Sequence, residues 1–528
     1  MSDRMHWSRW GDPAHMTALP ESAAGLLELA FGPAVPRPAV DLTQVRLPVA
    51  ELADHVLDAL RGVVGEDHVD TTDEARVRHT GGKSTPDLLA LRDGDAAAAP
   101  DAVVRPADHD EVLALIALCV DRRIAVVPFG GGTSVVGGLA ASRDVLTGVI
   151  AIDLSRLDGL VAVDQVSGTA VLQAGVPGPR AERLLGEQGL TLGHFPQSFE
   201  FATIGGFAVT RSSGQSSSGY GRFDSMVVGL KVATPQGTWD LGVAPASAAG
   251  PDLKQLVLGS EGTLGIVTEV TVAVRPAPET AVYETWRFPS FQSGVTAMRT
   301  LTQDGINPTV LRLSDETETS LNLAKPESIG AESAGGALMV CGYEAAPARV
   351  ERMRAEVGAT LERLGGTSLG AEDGQQWADG RFAAPYMRDA LLDVGVLVET
   401  LETATFWGNL DHLYAEVKSA LDSSLGAQGM NPIVLCHISH VYRTGASLYF
   451  TVACKAADDP RRQWHEAKRA ASDAIVAAGG TITHHHAVGH DHKPWYAEEI
   501  GPVGVAVLRA VKQAVDPVGV LNPEVLIP

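Results

Sequence analysis

The stretch Val127-Pro128-Phe129-Gly130-Gly131-Gly132-Thr133-Ser134 constrains the backbone of this chain more than any other. An apolar run, Ile124 to Val127, enters three consecutive glycines and leaves through two hydroxyl residues. Glycines lack Cβ, take positive φ and turn successive N–H groups toward one point, which is the geometry of a phosphate nest. Thr133 and Ser134 add two hydroxyl donors. A tight turn is the competing reading of any Gly-Gly-Gly, and the rest of the chain has to decide between them.

At 528 residues the chain exceeds a single core, so two or three domains are expected. Its 41 Lys and Arg against 64 Asp and Glu leave a net charge of −23, which repels a polyanion and argues against nucleic acid as a partner. Any bound phosphate must be met by local groups. Cys119, Cys341, Cys436 and Cys454 stand in apolar runs without C-x-x-C spacing and read as buried thiols of a reducing compartment. Met1 to Pro20 lacks a basic-then-apolar signal pattern, and no uncharged apolar run approaches the roughly 18 residues of a membrane helix. The ending Val-Leu-Ile-Pro carries no lipidation or peroxisomal tripeptide. A cytoplasmic enzyme is the expectation.

Residues 1–98 read as an N-terminal region with helical pieces such as Leu47 to Arg61. Gly81-Gly82-Lys83-Ser84 is not read as a P-loop, because Val77 stands where the first glycine belongs and a helix, not Pro86, should follow. From 99 to 277 strands and helices alternate: strand Ala102 to Arg105, Asp108 with Glu111 as a helix start, and Val112, Leu115, Ile116 and Cys119 on one helical face. The hairpin Val227 to Ala233 and Thr238 to Leu241 and the strand Ile266 to Val274 complete this part. Between 278 and 495 long helices alternate with strands compatible with an antiparallel sheet, so an α+β cap domain is expected. A last helix, Val505 to Val515, precedes a segment, 496–528 overall, that returns to the first domain.

Four segments share a small, glycine-rich and hydroxyl-rich character: Pro128 to Ser134, Gln197 to Gly206, Thr210 to Ser213, and Glu261 to Val267. One is a turn; four within about 140 residues suggest one extended ligand lined by backbone amides, and a dinucleotide fits. A Rossmann strand, G-x-G-x-x-G, helix order is absent. The triplet His484, His485 and His486 reads as strand, with His484 and His486 on one face. With His490 and His492 nearby a metal is a rival reading, weakened because Asp491 is the only carboxylate in the tract; no metal is the expectation. Tyr449, in an apolar strand, reads as a core or a site residue. Arg312, between Leu311 and Leu313, projects to the other face, as an ion pair or as a fork for a phosphate or carboxylate. Lys493 is a weaker phosphate candidate.

Ile124 to Ser134, His194 to Gly206 and Glu261 to Gly265 resemble the FAD-binding segments of the vanillyl-alcohol oxidase (PCMH-type) family. The resemblance implies a two-part FAD-binding domain plus cap, α+β overall. It implies cofactor contacts from Pro128, Phe129, Gly130, Gly131, Gly132, Thr133 and Ser134 on the pyrophosphate, and from Gln197, Ser198, Thr203, Gly205, Gly206, Thr210, Arg211, Ser213, Glu261, Gly262, Thr263, Ile266 and Val267 along ribityl and flavin. No His or Cys stands between Arg122 and Gly148, so the FAD is expected to be non-covalent. Thr309 to Asp315, Thr444 to Phe450 and His484 to Gly489 resemble the alkyldihydroxyacetonephosphate synthase branch. That branch implies redox-neutral exchange of the acyl group of acyl-dihydroxyacetone phosphate for a long-chain alcohol through an adduct at flavin N5. Tyr449 would be the acid/base with a lowered pKa, His484, His485 and His486 would handle carboxylate and alcohol, and Arg312 would hold phosphate or ketone. Gln197 stands where an acidic residue is usual and Ala487 where glycine is usual. A lipid-like substrate, a homodimer and peripheral membrane contact are further implications. A 2-hydroxy-acid dehydrogenase or oxidase on the same fold is the alternative.

Overall fold

Asp108 accepts a hydrogen bond from the Glu111 amide at 2.9 Å and opens a helix over His109–Arg122, which stops at Arg123 in the left-handed region (φ 56°). Its buried face is Val112, Leu115, Ile116 and Cys119, as the spacing predicts. In the computed structural model, which describes residues 5–16, 19, 21–33, 35–321 and 335–528, this turn launches the strand Ile124–Phe129. Part of the Met1 to Pro20 stretch therefore lies outside the described residues. The strand pairs in parallel with Gly148–Asp153, which pairs in parallel with Ala102–Val104, and Val69–Asp70 closes that edge antiparallel.

Behind this sheet stands an antiparallel sheet of five strands in the order Leu160–Asp164, Thr169–Gln173, Ile266–Ala273, Val227–Thr234 and Gly237–Leu241. The two share one apolar core, in which each fully buried Leu or Ile contributes about 1.5–3 kcal/mol. Leu521 bridges Val126, so the end of the chain adds a short edge to the strand that launches the glycine loop.

A second core belongs to a seven-stranded antiparallel sheet in the order Thr367–Gly370, Thr280–Phe288, Ala337–Ala345, Val310–Ser314, Ile433–Ile438, Gly445–Lys455 and Val396–Phe406. Strand alternation gives it two unlike faces. Leu311, Leu313, Cys436, Leu448 and Phe450 pack into the core with the helices Phe291–Asp304 and Leu410–Ala427. Arg312, His437, Tyr449 and Thr451 project the other way, into a cavity. All four cysteines are buried and unpaired. Among the described residues no helix is long and apolar enough to cross a membrane.

Three local expectations need correcting. The helix expected over Leu47 to Arg61 runs Asp54–Val64, because Ala53 rather than Leu47 sits at its extended N-cap. A helix does follow Gly81-Gly82-Lys83-Ser84: Ser84 caps Thr85–Arg92, with Pro86 in the first turn, where a missing N–H costs nothing. Lys83 Nζ is bound to the carbonyls of His6 and Trp7 at 2.9 and 3.1 Å. The last helix spans Lys493–Val515 rather than starting at Val505, and kinks at Gly501 (φ 66°) before Pro502.

Candidate active site

A cavity of about 760 Å³ lies between the glycine loops and the open face of the seven-stranded sheet. Pro128 to Ser134 form one wall. The N–H groups of Gly131, Gly132, Thr133 and Ser134 donate to no acceptor among the described residues, so four successive donors stand free at the cavity. A Cβ on Gly131 would come 2.0 Å from the Phe201 carbonyl oxygen, and one on Gly130 2.5 Å from Thr203 Oγ1. Glycine is thus required by close packing as well as by Gly132's φ of 69°. Thr203 caps the short helix Ile204–Val209 through the Gly206 amide. Gln215 Oε1 is buried beside the cavity without a hydrogen-bond partner. Free amide donors, glycine cradles and one unpaired amide oxygen as acceptor make a set that fits the pyrophosphate and ring edge of FAD.

Gln197, Ser198, Gly205, Gly206, Thr210, Ser213, Glu261, Gly262, Ile266 and Val267 also line the cavity. Their side chains are not all turned to it: Gln197 Nε2 donates to the Arg381 carbonyl, and Thr210 Oγ1 to that of Gly206. Glu261 accepts from the Val488 and Gly489 amides, and burial pushes its carboxyl up to about 7 against the pull of those amides. Three expected residues fall outside. Arg211 is turned away onto Asp224 at 2.9 Å, Thr263 is tied to the Ser260 carbonyl at 2.7 Å, and His484 sits behind the wall. Lys493 donates to the Glu524 carbonyl and does not line the cavity.

Tyr449 faces the histidines. Its ring lies 6.0 Å from that of His485 and 5.6 Å from that of His486. Burial pushes the phenol up to about 12, a Thr400 hydrogen bond pulling down and Glu399 and Glu402 adding to the rise, so the lowered pKa expected from the resemblance is not found. The histidine tract is not strand. It wraps Glu402, whose Oε1 accepts from the amides of His485 (3.1 Å) and His486 (3.0 Å) and from the Thr483 hydroxyl (2.6 Å), and whose Oε2 accepts from the amide of His484 (2.6 Å). Burial opposes the charge of Glu402, but His485 beside it outweighs this and holds the carboxyl well below the usual range. Burial pushes His484 well down and His486 to about 3, so both are neutral imidazoles at pH 7. Ala487 follows at φ 72°, which explains why glycine suits that position.

Arg312 is ion-paired with Glu318, and its Nη2 lies 3.0 Å from His437 Nδ1. Glu318 Oε2 lies 3.1 Å from the same nitrogen. Burial works against the Glu318 charge, yet His437 and Arg312 bring its carboxyl down to about 2. His437 in turn stacks 4.8 Å from Tyr449. Sequence reasoning missed Glu402, Glu318 and His437; a buried acid in an otherwise apolar strand, as in Val-Glu-Thr-Leu-Glu-Thr, was the available signal for the first. Beyond Tyr449 the cavity becomes apolar, between Leu26, Leu27 and Phe31 of the helix Glu21–Phe31 and Leu391, Ile433 and Ala453.

A family model described as FAD binding domain matches residues 100–241, and one described as FAD linked oxidases, C-terminal domain, matches residues 277–526. The chain is 36% identical over 475 residues to the alkyldihydroxyacetonephosphate synthase of Dictyostelium discoideum, covering 86% of this chain and 77% of that one. A solved alkyldihydroxyacetonephosphate synthase is similar at a TM-score of 0.84 and 30% identity, with 99% of each chain covered. The p-cresol methylhydroxylase structure, 17% identical with a TM-score of 0.71 over 89% of this chain and 96% of that one, shares the fold.

Proposed function

The chain belongs to the alkyldihydroxyacetonephosphate synthase family, and from that premise we propose that it uses FAD to exchange the acyl group of an acyl-dihydroxyacetone phosphate for a long-chain alcohol, giving the ether bond of an ether lipid. The observation that carries this reading is the convergence at Tyr449: free loop amides on one side, a histidine and arginine wall beside it, and an apolar gallery beyond.

When bound, FAD supplies an electron-poor ring system that accepts and returns an electron pair with no net redox change. The free amides of Gly131 to Ser134 would hold its pyrophosphate, and Thr203, Gly205, Gly206 and Ser198, which line the same cavity, would hold the rest of the cofactor. Tyr449 moves the proton at the reacting carbon. A neutral phenol is a donor, and the His485 ring, with its centroid 6.0 Å away, is the group that exchanges the proton with it. His485 and His486 receive the departing carboxylate and the incoming hydroxyl. Arg312, with one arm on Glu318, keeps donors for a phosphate or ketone oxygen.

The four-part division at 98, 277 and 495 is proposed with this function, supported by the two separate cores. So are a cytoplasmic location, a homodimer and peripheral contact with a lipid surface. Leu29, 83% exposed on the helix whose Leu26 and Leu27 line the apolar end, supports the lipid contact. Exposed Val503 and Val507 on the last helix support pairing of two copies.

The test is an anaerobic absorbance titration of the FAD-loaded protein with palmitoyl-dihydroxyacetone phosphate, then hexadecanol. Loss of the oxidised flavin band, its recovery on adding the alcohol without any electron acceptor, and release of palmitate are expected. Bleaching by a 2-hydroxy acid, reversed only by a dye, would replace the proposal with a dehydrogenase.

A further inference from the structure

The geometry points to a binding site for one divalent transition-metal ion of the zinc type, formed by His440, His484 and His485. The three present ring nitrogens that all lie within 4.8 Å of one another. They come from two segments, the turn after the strand Ile433–Ile438, where the Ser447 amide donates to the His440 carbonyl at 2.9 Å, and the tract that wraps Glu402.

On two of the rings the far nitrogen is already engaged. His440 Nδ1 lies 2.7 Å from Ser217 Oγ, and His484 Nε2 lies 2.5 Å from Tyr442 OH. A metal-bound histidine takes its tautomer and orientation from such a partner on the other nitrogen. A neutral His440 that donates from Nδ1 to Ser217 presents the lone pair of Nε2. His484 Nδ1 and His485 Nδ1 are left as the remaining donors, and they lie 3.0 Å apart. Zinc–nitrogen bonds of about 2.0–2.1 Å in a tetrahedron put ligand nitrogens about 3.4 Å apart, so the His484 and His485 pair is already near that spacing, and His440 closes the set from within 4.8 Å. Glu402 Oε2, 3.4 Å from His485 Nδ1, sets a buried negative charge beside the cation. His440 and His485 both line the cavity, which is the entry path. An open fourth position toward the cavity follows from three protein ligands.

The ion holds His485 by a ring nitrogen at the wall of the cavity beside Tyr449, where the proposed function needs that ring, so it acts as a reversible inhibitor. The inhibition rests on the proposed function; the binding does not.

The test takes FAD-loaded, metal-stripped enzyme and titrates Zn²⁺ against a chromogenic chelator, with Co²⁺ as a second probe whose visible bands fall to the red of flavin. One ion per chain is expected. His440→Ala should lose it, and Ser217→Ala should weaken it by about 10- to 100-fold, as loss of an orienting partner does. FAD content and melting temperature of both variants check that they fold. His412→Ala, an exposed histidine elsewhere, should bind as the parent does. Absence of Zn²⁺ uptake, or equal uptake by the parent and both cavity variants, overturns the site. Stoichiometric binding that leaves acyl-for-alcohol exchange undiminished overturns the inhibitory role.

Discussion

Glu402 and Tyr449 are direct partners across the antiparallel ladder of Val396–Phe406 and Gly445–Lys455, so both side chains leave the same face of the sheet. One carries the proposed acid/base and the other holds, through consecutive amides, the histidines that stand over it. The strand register therefore sets the distance between the phenol and the imidazoles.

Glu402→Gln keeps the volume, removes the charge and turns an NH₂ toward backbone donors. A buried donor left without an acceptor costs about 1–3 kcal/mol, which the tract can relieve only by shifting. The expected result is a kcat lower by about two orders of magnitude with little change in KM, an altered pH–rate profile, full FAD content, and partial rescue by Glu402→Asp. An unchanged profile with only a lower melting temperature would assign Glu402 a packing role.

Tyr449→Phe removes one oxygen and leaves the ring that stacks on His437. Loss of a positioned acid/base lowers turnover by about 10²–10⁴-fold. Flavin content and melting temperature should stay at the parent's values. Full turnover by the variant would sink the assignment.

Gly131→Ala sets a methyl carbon against the Phe201 carbonyl at a separation no backbone tolerates. The loop must move, and the ratio of flavin to protein absorbance on purification should fall at least about tenfold. For the parent protein, acid precipitation is expected to release all of the flavin into the supernatant, and flavin kept in the pellet would instead mean a covalent link.

The Glu261 carboxyl, at about 7 when folded against an ordinary 4.5, is raised by burial. The folded state thus holds this proton more tightly than the unfolded chain. Its contribution to stability is complete below pH 4.5 and is lost as pH rises through 7. The stability difference between the parent and Glu261→Gln should fall by on the order of 3 kcal/mol across that window and stay level above it. Denaturant melts at several pH values measure this; a flat difference would mean that the amides of Val488 and Gly489 cancel the burial.

Residues whose role is set by the local backbone were legible in the sequence. The three glycines, the Asp108 cap and the alternation around Arg312 and Tyr449 all depend on neighbours a few positions away. What escaped depends on partners far along the chain. The histidine tract reads as strand by local pattern, but a carboxylate 82 residues earlier in sequence offers its amides a better set of acceptors than a neighbouring strand. Arg211 carries the right chemistry and is captured by Asp224 instead. Tyr449's raised pKa is a sum over burial and distant carboxylates that no short motif encodes.

Asn522, 384 residues after Gly138, donates to its carbonyl at 3.2 Å and to that of Glu261 at 2.7 Å, while Leu521 lines up on Val126. During synthesis the glycine loop leaves the ribosome long before the residues that brace it. The nucleotide half therefore lacks these ties until the entire cap has been made. A fusion or truncation that disturbs residues 520–522 strikes the cofactor loop as directly as a substitution within it.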